Sequence, residues 1–421
     1  MARHRVAITG LGLVSPYGGD LDDFFQRIWA GESAVQWLVT DDEPRPLRLP
    51  FVRCAGFEPE RELGKPQALM MERFSQLGLS AVLRAWQHAG LARSAADDGS
   101  DRARWGCLWG TALGGLAAHE RGARELWLRG RERVSPLSVV MGMNNATNAH
   151  VSIQLGLGGV SSSHTAACAS ASMAIGEAFR RVQSGEAELM VTGGSDVCQS
   201  LSVVKAWEAM RVMARGDEDT APRACRPFSR ERSGLVLGEG GAALVLENWD
   251  HAVARGATIQ GELIGFATNC DHSHLVRPDR GGQARALRAV LDDAGLSPAE
   301  VHYVNAHGTA TPEGDPIEVQ SLREVFGEHA ARLPVSSTKS MHGHLLGASG
   351  AIEAVITALA LREQAIPPTA HLEGQIDPAC EGVDHVTQGR RGHKLRVALS
   401  NSFAFGGSNV VLAFAAPDHR H

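Results

Sequence analysis

Cys168 stands in HTAACASASMAIGEA, residues 164–178, a run of small residues that opens a predicted helix. Alanine and serine neighbours let other groups approach the sulfur closely, and a helix N-terminus favours a thiolate through its macrodipole. The competing reading is a space-filling thiol, because free cysteine is among the most buried residue types and six others occur here. The second half of the chain supplies groups that suit a nucleophile. NAHGTATPEGDPIE sets His307 between a strand-like VHYVNA and a glycine turn. STKSMHGHLLGASGAIEA sets Lys339, His342 and His344 on one loop, ahead of a second small-residue helix that contains Glu353. NSFAFGGSN follows the strand LRVALS and brackets Phe405 with small residues. The chemistry this set suits is covalent: a sulfur nucleophile, with donors beside it for developing negative charge.

Each stretch sits at a strand-to-loop transition, where open α/β sheets display working residues. Buried-strand candidates alternate with helical segments along the chain: RVAITGLG before LDDFFQRIWAG, ASMAIGEAFRRVQSG before AELMVTGGS, QARALRAVLDDAG before VHYVNAHG. That alternation predicts an α/β fold with largely buried strands. A weak internal repeat pairs AACASASMAIGEA and GGAALVLEN with GASGAIEAVITA and GGSNVVLAF. Two related halves, 1–255 and 256–421, account for it, and so does chance likeness of Gly/Ala-rich segments. Segments 35–66 and 205–232 read as insertions over this core.

A chain of 421 residues, 43% hydrophobic, buries a large core. Its net charge of −6 is mixed along the chain with no lysine-arginine block, which argues against nucleic acid as a partner. Seven scattered cysteines without a CxxC pair predict a reduced, cytoplasmic protein. No stretch has the apolar length of a membrane span, and no membrane role is expected. NCDHSH places Cys270, His272 and His274 close together, but a second cluster of zinc type is missing, so no metal is expected. LGASG does not have GxSxG spacing, and TGLGLV is not a complete GxGxxG.

Seven stretches, in order, are GTALGGL, HTAACASAS, VTGGSD, RPFSRERSGLVLGEG, NAHGTATPEGD, STKSMHGHLLGASG and NSFAFGGSN. In these, and from residue 6 to residue 414, the chain resembles the elongating β-ketoacyl-acyl carrier protein synthases. These are the condensing enzymes of type II fatty-acid and polyketide assembly. The resemblance implies the thiolase fold: two pseudo-repeated halves in a layered αβαβα arrangement, without a cofactor. It implies that Cys168 accepts the acyl group, with His307 and His344 as partners. Lys339 would hold the electrostatic network and Glu353 would order it from behind. The backbone N–H groups of Cys168 and Phe405 would form an oxyanion hole, and Phe405 would gate the pocket. Asp315 and Glu318 would orient the His307 loop or merely cap it. Cys-His-His selects decarboxylative elongation over the Cys-His-Asn and Cys-His-Cys sets of related branches.

Some residues depart from the family pattern. Ala404 replaces a glycine of the gate, which puts gate motion in question. Leu235 replaces a phenylalanine, and Trp207, Glu208 and Met210 replace smaller residues beside the implied acyl channel, whose bottom lies near Leu113. A reshaped pocket points to a specialised type II polyketide or polyene pathway. The alternatives are primary fatty-acid elongation and a non-catalytic scaffold half of a heterodimer. Acidic carrier protein, in acyl and malonyl forms, would dock on Arg129, Arg131, Arg133, Arg211 and Arg215. Leu69, Met70 and Met71 form an apolar strip where the family carries basic residues. A homodimer, or a heterodimer with a ketosynthase-like subunit, is expected, with residues 144–150 near the partner.

Overall fold

The structure is a computed structural model that describes residues 3–41, 45–392 and 394–418. Ten strands form its frame. The first five are β1 (Val6–Val14), β2 (Trp105–Gly110), β3 (Ser161–His164), β4 (Leu189–Val197) and β5 (Leu237–Asn248). The second five are β6 (Gly261–Cys270), β7 (Tyr303–Asn305), β8 (Pro334–Ser336), β9 (Val397–Phe403) and β10 (Ser408–Ala415). Neighbouring strands run β3-β2-β4-β5-β1, then β6-β10-β9-β7-β8. In both sets three parallel strands are followed by two antiparallel ones. The segments paired by the sequence repeat occupy matching places, GGAALVLEN in β5 and GGSNVVLAF in β10. The two sets are also continuous, because β1 ladders with β6 through Val6–Ile8.

The period-two alternation of a strand sends successive side chains to opposite faces, and here both faces are buried. Ala242, Leu244 and Leu246 of β5 and Val410, Leu412 and Phe414 of β10 enter one shared central core. Ala243 and Val245 face a second core with α1 (Arg73–His88), while Val411 and Ala413 face a third with α2 (Arg280–Ala294). Two small-residue helices fill the centre: α3 (Ser170–Gln183) and α4 (Ser349–Glu363). The latter is buried on all sides through Leu361, as a helix apolar around its circumference must be. Helix, sheet, paired helices, sheet and helix make five layers.

Close contact between these layers depends on missing side chains. A Cβ on Gly110, at the end of β2, would lie 2.4 Å from the Ala171 Cα, and one on Gly350 would lie 2.0 Å from Ser172 Oγ. Both glycines draw the starts of the central helices into the middle of the molecule.

The 35–66 segment contains a hairpin, Gln36–Val39 with Arg48–Val52, whose second strand extends β5 in parallel; residues 42–44 lie outside the described residues. Of the expected apolar strip, Leu69 and Met70 are exposed but Met71 is buried in the core with α1, so the strip has two members, not three. All seven cysteines are free, and only Cys270 is exposed. Among the described residues, no helix is long and apolar enough to cross a membrane.

Candidate active site

β3 of the first set and the mutually parallel β7, β8 and β9 of the second are followed by the loops that carry Cys168, His307, Lys339 with His344, and Phe405. Ala167, just before the cysteine, has φ 47°, a left-handed conformation that a non-glycine residue holds only under tertiary constraint. Ala310 and Leu346, in the two histidine loops, share it at φ 64° and 45°. The loops around the site are therefore clamped from outside.

His344 Nε2 lies 3.1 Å from Cys168 Sγ. Its backbone is pinned to the RSGLVLGEG segment, its N–H donating to Val236 O at 2.6 Å and its C=O accepting from Gly238 N at 3.1 Å. The His307 and His344 rings meet edge to face, with centroids 5.6 Å apart. Lys339 Nζ is 3.3 Å from His307 Nδ1 and forms an ion pair with Glu353 Oε1, both side chains being fully buried. An ammonium can only donate, so His307 Nδ1 accepts and its proton sits on Nε2. The backbone N–H groups of Phe405 and of Cys168 itself face the sulfur.

Glu318 accepts from the N–H groups of His307 (2.8 Å) and Gly308 (2.7 Å) and from Asn401 Nδ2 (3.1 Å), so it fixes the start of the His307 loop. Asp315 accepts from Phe228 N at 2.7 Å and from the backbone N–H of Ala310, so it ties the His307 loop to a second segment.

Burial dominates the electrostatics. It pushes the Cys168 thiol up to about 12, against the opposing pull of Lys339 and the two N–H groups. The expectation that the helix N-terminus yields a thiolate is thus reversed: Cys168 lies ahead of Ser170, the first residue of α3, and desolvation outweighs the dipole. Burial, then the Lys339 charge, holds both His307 and His344 well below the ordinary imidazole value, so each ring is neutral at pH 7. Burial raises Glu353 to about 7, with Lys339 pulling it back. Alkylation of Cys168 by iodoacetamide, followed by peptide mass mapping, should therefore accelerate about tenfold per pH unit between roughly pH 7 and 10. A plateau near pH 7 would show a thiolate instead.

A cavity of about 380 Å³ opens onto Cys168, His307, His344 and Phe405. Trp207, Met210 and Leu235 line it, and the Trp207 ring stacks on Phe405 with centroids 5.6 Å and planes 21° apart. Met210 is exposed, at the outer part of the wall rather than deep in a channel. Leu113 is not among the lining residues; it packs on the apolar cluster of Cys168, Leu235 and Leu346. Ala404 has φ −114° and ψ 155°, an ordinary extended conformation, so its Cβ adds no strain here. The left-handed residues of this loop are Gly406 and Gly407.

The basic residues differ in setting. Arg129 and Arg131 are both tied to Glu125, which offsets part of their charge, while Arg133 is exposed. Arg211 lies at the cavity, together with Arg277, which sequence reasoning missed. Cys270, His272 and His274 do not converge; His274 Nδ1 instead accepts from the N–H groups of Val276 and Arg277. Among the described residues, no group of His, Cys, Asp and Glu side chains is gathered to hold a metal ion.

Two further residues escaped the sequence reading. Asp196, in the VTGGSD stretch, accepts from Ala112 N, Leu113 N, Gly347 N and Thr111 Oγ1, tying two loops to the end of β4. Ser349 lies behind His344, its Oγ 2.8 Å from Nδ1. Only the motif around Asp196 signalled it; Ser349 gave no sign beyond its place after the histidine.

Comparison with known proteins places this arrangement. Residues 3–252 match the N-terminal domain of β-ketoacyl synthases and residues 260–373 match the C-terminal domain. The chain belongs to the β-ketoacyl synthase family. Nodulation protein E of Rhizobium sp. (strain N33) is 42% identical over 97% of this chain and 98% of its own. The 3-oxoacyl-[acyl-carrier-protein] synthase 2 of Staphylococcus aureus (strain N315) is 38% identical over the same shares. Among solved structures, a β-ketoacyl synthase from Burkholderia phymatum STM815 superposes with TM-score 0.90 at 35% identity, over 98% of this chain and 99% of its own. The ishigamide ketosynthase/chain length factor gives 0.90 at 29%, over 99% and 100%. A ketosynthase bound to the hexaketide, in complex with its type II polyketide acyl-carrier protein, gives 0.88 at 29%, also over 99% and 100%. This β-ketoacyl synthase is therefore a thiolase-fold condensing enzyme, an acyltransferase.

Proposed function

We propose that this β-ketoacyl synthase elongates a carrier-bound acyl chain in a specialised type II polyketide or polyene pathway. The carrying observation is the flat Trp207–Phe405 stack on the cavity wall beside Cys168. A planar, conjugated chain packs against an aromatic face with less loss of rotational freedom than a saturated chain of equal length.

In this reading Cys168 attacks the carrier thioester, its sulfur gains the acyl group, and its proton ends on the departing carrier thiol. A malonyl thioester then enters. Its C–C bond to the carboxylate breaks, carbon dioxide leaves, and the electron pair moves into an enolate. The neutral His307 and His344 rings, both facing the cavity, donate to the thioester oxygen as its charge grows. The enolate carbon attacks the acyl carbonyl, whose oxyanion is held by the N–H groups of Cys168 and Phe405. Collapse releases the Cys168 thiolate, which recovers a proton from water, as a group with a pKa near 12 must.

The division near residue 255 assigns the sulfur to one half and both imidazoles to the other. Carrier protein in acyl and malonyl forms docks at the mouth, where Arg211 and Arg277 lie, with Arg133 farther along the surface. A second subunit, identical or chain-length-factor-like, covers the helix Leu116–Trp127 and its surroundings, where Trp127 is 82% exposed and Val139 66%. Edge strand β3 lies beside residues 144–150, through Asn148 to Ser161 and Ser163, and pairs across that contact.

Acylation from matched saturated and polyenoic carrier thioesters, followed by intact mass, tests the pathway. Faster loading of the polyenoic chains is expected; a clear preference for saturated ones overturns it.

A further inference from the structure

We infer that Ser349 fixes the tautomer of His344, keeping the ring proton on Nε2, where it faces Cys168 and the cavity. Ser349 opens α4 and is fully buried. Its Oγ has two described partners: Leu345 N at 2.9 Å and His344 Nδ1 at 2.8 Å. The first is an amide and can only donate, so it occupies a lone pair of the hydroxyl. The hydroxyl proton then has one described acceptor, Nδ1. The opposite assignment, Nδ1–H donating to Oγ, would leave a buried O–H without an acceptor.

A neutral imidazole that accepts at Nδ1 carries its hydrogen on Nε2, here 3.1 Å from Sγ. Lys339 imposes the same tautomer on His307 from the other side. One ring is thus set by a charged donor and the other by a neutral hydroxyl. Ser349 touches neither sulfur nor substrate and is a positioning residue. Its effect on rate rests on the reading of His344 as a donor to the thioester oxygen; its effect on the tautomer does not.

The test labels histidine with 15N in the full-length protein and assigns His344 by its loss in His344→Ala. Wild type and Ser349→Thr should show the Nε2–H tautomer, and Ser349→Ala a mixture. Malonyl-carrier decarboxylation should fall about tenfold in kcat, at unchanged KM, in Ser349→Ala, and Ser349→Thr should restore it. An Nδ1–H ring in wild type, or an unchanged ring and kcat in Ser349→Ala, overturns the inference. Decarboxylation that survives in His344→Ala would remove the donor reading while leaving the tautomer result standing.

Discussion

Cys168→Ala protein incubated with acyl-carrier thioesters should show no added acyl mass, while wild type gains one acyl group per chain. Condensation should fall by about 10³-fold or more, because the covalent intermediate cannot form. The change removes one sulfur at a site where 6% of the residue is exposed, so the fold should survive it. His344 and the N–H groups of residues 168 and 405 remain in place. Wild-type protein that takes no acyl group from any donor would instead support the scaffold reading.

Lys339→Met should carry the largest cost in stability. Lys339 and Glu353 are an ion pair with 0% and 1% side-chain exposure, and losing one member strands the other. Removal of a partner from such a pair costs about 3–5 kcal/mol. Glu353 Oε2 already has no hydrogen-bond partner, so little else is available to support the carboxylate. Lys339→Met should therefore lower the urea midpoint strongly. Adding Glu353→Gln, which removes the stranded charge, should recover about 1–3 kcal/mol relative to the sum of the single changes. The same substitution takes away the donor to His307 Nδ1, so condensing activity should fall further than stability alone explains. An unchanged midpoint in Lys339→Met would show that the pair contributes nothing.

Much of this architecture is written locally in the chain. Small-residue helices, strand alternation and glycine-bounded turns are short-range patterns, and the repeat that links GGAALVLEN to GGSNVVLAF became matching strands β5 and β10. Each candidate group followed a strand, and the strands gather the groups. What could not be read were balances decided by distant neighbours. A helix start favours a thiolate, yet the desolvation that wins at Cys168 comes from residues such as Leu235 and Leu346. Met71 looked like its neighbours Leu69 and Met70 but turns inward to the core of α1. The arginines at 129 and 131 read as a docking patch, and the chain pattern gave no sign that Glu125 pairs with both. Asp196 and Ser349 act through backbone and ring contacts that no spacing rule announces.

The contact between Cys168 and His344 joins residues 176 positions apart in the chain. During synthesis the cysteine leaves the ribosome long before the histidine loop, Lys339 or Phe405 has been made. Until then its thiol has neither its dry surroundings nor its donors, and it behaves as an ordinary exposed cysteine. Contacts of such long range form late and slowly. The groups around the sulfur are therefore complete only with the final strands of the C-terminal half, and a nascent chain carries an ordinary, more readily ionised thiol before it carries the two imidazoles that face it in the folded protein.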